Sequence, residues 1–178
     1  MNPLSGRYLR RSAITCQTPP VEANARTDRG EPLGDIDARI LRLLASDGRM
    51  SYADLARETG LSTSAVHQRV RRLEQRGVIR GYRAVIDQRA VGLPLTALID
   101  LTPLDPSAPD DIPQRVEDFP EIEACWSVAG AASYVVKVRV AEPEDLEDLL
   151  ARIRAAAGVS TRTTIVLSTP FEDRPAAI

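Results

Sequence analysis

Histidine and lysine each occur once in this chain, as His67 and Lys137, and cysteine only twice, as Cys16 and Cys125. One histidine and two widely separated cysteines leave no ligand set for a zinc site and no framework for a disulfide-stapled fold. No metal or other cofactor is expected. The C-terminal half has no histidine, and no nucleophile–base pair is apparent, so catalysis has little to work with. No run approaches the ~18 apolar residues of a membrane span. Arg7, Arg10 and Arg11 have no apolar stretch behind them, so a secretory signal is not expected and a cytoplasmic location is the default. Lysine is outnumbered by twenty-two arginines, a bias read as GC-rich coding and not as a device of the protein.

The net charge of −2 singles out no partner. Its distribution is more informative: residues 1–34 carry +2, residues 35–90 carry +4 and residues 91–178 carry −8. A basic middle beside an acidic end suits one domain for a polyanion and another for something else.

The chain is organised around residues 51–77, SYADLARETGLSTSAVHQRVRRLEQRG. This stretch reads as two short helices with a sharp break. Gly60 stops the first by taking the left-handed conformation, Leu61 plugs the corner, and Ser62 caps the second. In the second helix Val66, Val70 and Leu73 recur as one buried stripe. The opposite face carries Ser64, Gln68, Arg71 and Gln75, flanked by His67 and Arg72. Such a face, polar and basic beside a core-facing stripe, is what a recognition helix entering the major groove of double-stranded DNA requires. An ordinary helical hairpin with a solvated basic face is the alternative. Arg71 and Arg72 suit guanine edges or phosphates, Gln68 suits adenine, and Ser62, Thr63 and Ser64 at the helix start suit a phosphate. Arg69 lies nearer the buried flank, which favours a structural salt bridge or a phosphate contact over base reading. Glu74 is expected to pair with Arg71, and His67 to neighbour a phosphate or a base.

Residues 1–34 show no sustained apolar period and read as a disordered tail. Asp35 is placed to cap a helix over 36–46 with Ile36, Ile40, Leu43 and Leu44 inward. Ser51, with Asp54 three residues on, opens the next helix. The third runs over 63–76 and ends at Gly77. The three share a small core that includes Leu55 and Ile79; such a core is marginal alone, so support from a partner chain is expected. Residues 78–87 read as extended, with Tyr82, Ala84 and Ile86 alternating, and 88–94 as a hinge. Strands follow over 95–102, 122–128, 133–140 and 161–168, with helices over 110–119 and from Pro143 to Gly158. Cys125 and Trp126 are expected to pack around the second strand. The order β-α-β-β-α-β makes an α+β protein: a helix-turn-helix followed by a ferredoxin-like split sandwich with its helices on one sheet face. The other face is partly apolar, and the same face of a second subunit is the economical cover.

With these elements in place, the chain resembles a bacterial or archaeal feast/famine regulator of the Lrp/AsnC family. The resemblance rests on LGDIDARILRLLASDGRMSYADLARETGLSTSAVHQRVRRLEQRGVIRGY, on AVIDQRAVGL and on GVSTRTTIVLST, and spans residues 33 to about 169. It implies a (winged) helix-turn-helix over 35–82, a linking strand and hinge over 83–94, an effector-sensing and oligomerisation domain over 95–170, and a tail over 171–178. It further implies a homodimer that often assembles further, commonly to an octamer, and an amino acid or related metabolite as effector. The function implied is sequence-specific transcriptional regulation. The alternatives are an architectural DNA-compacting protein of low specificity, or an enzyme on the same fold, as in decarboxylases of modified tetrapyrroles that rely on C-terminal histidines missing here.

One departure bears on the effector. Family members commonly carry Gly-Asp-aromatic-Asp-Tyr in the second β-hairpin, by the effector pocket, whereas this chain has Gly130, Ala131, Ala132, Ser133 and Tyr134. The carboxylates suited to a ligand's α-ammonium are missing, though Ser133 still offers a hydroxyl. Either the turn merely closes a hairpin or amino-acid sensing is altered or lost. Trp126 is a further candidate for lining that pocket.

Overall fold

The computed structural model describes residues 33–174, so nearly all of the tail expected over 1–34, and the end of the tail expected over 171–178, lie outside the described residues. Three helices come first: α1 (Asp35–Ser46), α2 (Tyr52–Thr59) and α3 (Thr63–Gln75). Asp35 does not cap α1 as expected. Gly34 is the N-cap, and Asp35 is the first helical residue, so Asp35 and Asp37 lie in the first turn, where free N–H groups and the helix dipole favour carboxylates. Ile36 is exposed, contrary to the expected stripe. The rest of the expected stripe is inward, Ile40 fully buried and Leu43 and Leu44 partly so, and Asp37 joins it, drawn in by an ion pair to Arg69.

The start of α2 is held as expected. Ser51 Oγ accepts from the Asp54 N–H at 3.1 Å and donates to Asp54 Oδ2 at 2.6 Å. That hydrogen bond, and then Arg57 nearby, hold the Asp54 carboxyl below its usual range. Gly60 ends α2 at φ 71°, a conformation that costs an L side chain about 1 kcal/mol or more. Ser62 Oγ then accepts from the Ala65 N–H at 3.2 Å, and α3 begins. Ile40, Leu55, Ala56, Val66, Val70 and Leu73 form the buried core of this unit, with Leu44, Leu61 and Ile79 partly buried around it.

No strand forms over residues 78–90, although the alternation of Tyr82, Ala84 and Ile86 suggested one. An extended run becomes a strand only beside another, and none of the four strands of the sheet lies alongside it. Tyr82, Val85 and Ile86 are exposed. Tyr82 donates to Glu74 Oε1 at 3.1 Å, so Glu74 serves the linker and is not bonded to Arg71 as expected. Although the residue as a whole is exposed, partial burial of its hydroxyl, and then the Glu74 carboxylate, push the Tyr82 phenol up to about 12.

The second unit contains β1 (Leu95–Pro103), α4 (Ile112–Val116), β2 (Ile122–Ser127), β3 (Tyr134–Val140), α5 (Pro143–Ala157) and β4 (Val159–Val166). Its sheet order is β2-β3-β1-β4, all antiparallel, the expected βαββαβ arrangement. Strand β4 starts two residues earlier than the sequence pattern suggested, because Gly158, at φ 62°, turns the chain directly into pairing between Val159 and Pro103. Helix α4 is shorter than the expected 110–119. One sheet face packs on the helices: Ala97, Ile99, Leu101, Val136, Val138 and Val140 meet Ile112, Val116, Leu146, Leu149 and Ile153. The period of two in β1 and β3 assigns Thr96, Leu98, Asp100, Val135, Lys137 and Arg139 to the other face.

Candidate functional site

The outer surface of α3 is the first candidate. Ser62 is its N-cap and Thr63 its first residue. Thr63, Ser64, His67, Gln68, Arg71, Arg72 and Gln75 are all exposed, while Val66, Val70 and Leu73 are buried beneath them. Among the described residues no ion pair holds Arg71 or Arg72. Their guanidinium groups are available to an anion or a base edge. His67 meets the edge of Tyr52 at a centroid distance of 5.0 Å and 80°. This contact fixes the imidazole against the first turn of α2. Arg69 stands apart: its Nη1 donates to Asp37 Oδ1 at 2.8 Å, in a part-buried pair whose carboxylate is the more enclosed partner. The salt-bridge alternative raised for Arg69 is the one observed.

The second candidate, the β2–β3 hairpin, is less united than the sequence suggested. Gly130 and Ala131 are exposed at the turn, Ser133 is half-buried, and Ala132 and Tyr134 are buried. Val128 donates to the Ser133 carbonyl at 3.0 Å, and the Ser133 N–H donates to the Leu101 carbonyl at 3.1 Å. The turn therefore leans on β1. Gly130 has no positive φ, and a Cβ there would meet nothing within 4 Å, so neither space nor backbone demands glycine. Tyr134 points into the helix-covered core and donates to Asp110 Oδ1 at 2.6 Å. That bond, followed by burial, pushes its phenol up to about 12. Trp126 pairs with Val135 and so lies on the opposite sheet face from Tyr134. It is 47 % exposed, and Cys125 is exposed too, because β2 is an edge strand; neither packs away as expected. The structure thus does not bring Trp126 and the Tyr134 side chain into one pocket.

Trp126 instead borders a groove of about 690 Å³ on the open sheet face, with Arg83, Asp87, Lys137, Arg139 and Glu172 among its walls. The groove is crossed by ion pairs. Arg139 Nε donates to Glu123 Oε1 at 2.6 Å, Lys137 approaches Glu123 Oε2 at 3.3 Å, and Lys137 also pairs with Glu172. Burial would raise the Glu123 carboxyl, but Arg139 and Lys137 outweigh it and hold the group below its usual range.

Two family models match the chain: the winged helix-turn-helix DNA-binding model over residues 33–80 and the Lrp/AsnC ligand-binding domain over residues 96–176. The chain is 56% identical over 144 residues to the HTH-type transcriptional regulator LrpA of Mycobacterium tuberculosis, covering 81% of this chain and 96% of that protein. The chain belongs to the Lrp/AsnC family. It is 33% identical to the leucine-responsive regulatory protein of Haemophilus influenzae over 78% of this chain and 86% of that one. It also matches the structure of the feast or famine regulatory protein from M. tuberculosis complexed with L-methionine. That match has a TM-score of 0.80 and 55% identity over 82% of this chain and 99% of the other. The protein is a DNA-binding transcriptional regulator of this family, with a winged helix-turn-helix and a four-stranded α+β domain. The relatives are named as regulators and not as enzymes. Among the described residues no helix is long and apolar enough to cross a membrane.

Three residues of this Lrp/AsnC chain bear on the candidate sites and escaped the sequence reading. Asp37, Tyr52 and Asp110 hold Arg69, His67 and Tyr134 respectively. Only Asp37 left a trace in the sequence, as an acid three residues before the core residue Ile40 on the same helical face.

Proposed function

We propose that this regulator reads its operator with the exposed face of α3, acts as a homodimer, and responds to an amino acid or related metabolite at its C-terminal domain. The observation that carries the DNA reading is the division of α3: three fully buried apolar residues on one side, and Gln68, Arg71, Arg72 and Gln75 exposed on the other, with no ion pair on either arginine among the described residues. The dimer reading is supported by the open sheet face and by the exposed Tyr82, Val85 and Ile86, which offer apolar surface and backbone for a second copy to cover. A dimer presents two copies of α3, so selection from a random duplex pool should return a two-fold symmetric site with half-sites about 10 base pairs apart or a multiple of that. A pool that stays unenriched favours the architectural, low-specificity reading instead.

The effector reading is supported by the relative complexed with L-methionine. The turn of the hairpin, residues 130–134, offers an ammonium group no carboxylate, only carbonyls and the Ser133 hydroxyl. Charge-assisted hydrogen bonds are the stronger kind, and an unpaired buried cation costs more than the lost bond. Calorimetric titration with leucine and methionine should therefore show weak binding. Joint Ala131→Asp and Ser133→Asp substitution should tighten it about tenfold or more. Tight leucine binding by the unmodified chain would refute this account of the hairpin.

A further inference from the structure

We infer that the Asp37–Arg69 ion pair is a positioning device for the recognition helix, setting its rotation so that Gln68 and Arg72 face the bases, while Arg69 itself touches no DNA. The inference rests on the proposed reading of α3 as the operator-reading helix. Helix α1 meets its neighbours through Ile40, with Leu41, Leu43 and Leu44 partly buried beside it, and through Asp37. Ile40 is fully buried in the shared core, and Asp37 reaches across to Arg69 at 2.8 Å. The Asp37 side chain is 12% exposed and that of Arg69 34%.

Stability is a small part of what such a pair supplies, since with a third of the guanidinium side chain in solvent an ion pair contributes only about 0–1 kcal/mol. Direction is the larger part. The buried stripe Val66, Val70 and Leu73 sets which face of α3 is inward, but apolar contacts are non-directional, whereas a guanidinium–carboxylate bond accepts few orientations and sets the finer rotation. Arg69 follows Gln68 directly and precedes Arg72 by one turn, so its bond fixes the azimuth of both. With side chains included, a helix is about 10–12 Å across, and a 20° roll moves a side-chain tip by about 2 Å. That is enough to break a base-edge hydrogen bond, whose length varies by only about 0.5 Å. Long-range attraction to phosphates hardly changes over the same distance. The pair therefore governs selectivity more than sequence-independent affinity. Loss of the clamp leaves α3 held by its buried stripe and, near its end, by the Tyr82–Glu74 bond, so the helix shifts without unfolding.

The test uses the full chain, a duplex selected by the unmodified protein, and a shuffled duplex of equal length and composition, each titrated at several salt concentrations. Asp37→Asn and Arg69→Gln should each weaken the selected duplex about tenfold, and the double variant should lose no more than either single one. Affinity for the shuffled duplex, and its salt slope, should not change. Arg69→Lys keeps the charge and the fold but loses the planar fork, and should show an intermediate loss of selectivity. The inference is overturned if Arg69→Gln weakens both duplexes and flattens the salt slope by about 0.9, the mark of a phosphate contact. It is equally overturned if affinity for both duplexes falls alike, as general unfolding would cause, or if Arg69→Lys is fully selective. Gln68→Ala and Arg71→Ala separate the two levels. If these abolish selectivity and Asp37→Asn does not, only the clamp fails; if they change nothing, the reading of α3 itself fails.

Discussion

Leu55→Ala should unfold the helix-turn-helix while leaving the C-terminal sheet intact. Leu55 is fully buried in a core that, among the described residues, has six buried apolar side chains. Truncating a buried leucine typically costs about 2–5 kcal/mol, through lost transfer energy and the cavity left behind. A three-helix unit of this size has little stability to spare. The buried cores of the two units share no residue, so their unfolding should separate. Thermal denaturation followed by circular dichroism should lose an early helical transition, keep the later one, and be accompanied by complete loss of DNA binding. A single transition shifted as a whole would mean that the two cores unfold as one.

Arg71→Ala should weaken operator binding by about 1–3 kcal/mol if Arg71 reads a base edge. The residue is exposed on the outer face of α3, and among the described residues no ion pair competes for it. A bidentate guanidinium on guanine is the commonest specific contact in the major groove. Selectivity between operator and unrelated DNA should fall together with affinity. If Arg71 touches phosphate only, all duplexes should weaken alike and the salt slope should drop by about 0.9. Unchanged affinity and unchanged slope would show that this face of α3 does not meet DNA.

Much of this architecture was legible in the sequence because local chemistry wrote it. The caps Ser51 and Ser62, the left-handed Gly60 and Gly158, and the two-residue period of Tyr134–Val140 each act within a few residues of chain, and the structure has them where the pattern put them. What the sequence hid depends on partners distant along the chain. The outward turn of Ile36 follows from Asp37 being drawn in by Arg69, thirty-two positions away. The expected strand over 78–87 needs a neighbour that this chain's sheet does not supply. Trp126 and Tyr134, grouped by proximity in the chain, part company because residues on adjacent strands share a face only when the register puts them opposite: Tyr134 opposes Ser127, and Trp126 opposes Val135. Glu74 was matched to Arg71 by helical spacing alone, yet the phenol of Tyr82 claims it.

Methylation interference on a duplex selected by the full chain decides whether the exposed face of α3 reads base edges in the major groove. Methylating guanine N7 blocks an acceptor that only a major-groove reader uses. Interference is expected at a few guanines placed two-fold symmetrically, with at least one of them losing its effect in Arg71→Ala. Binding indifferent to N7 methylation throughout the selected site, or an interference pattern identical in the variant, would contradict base reading by α3.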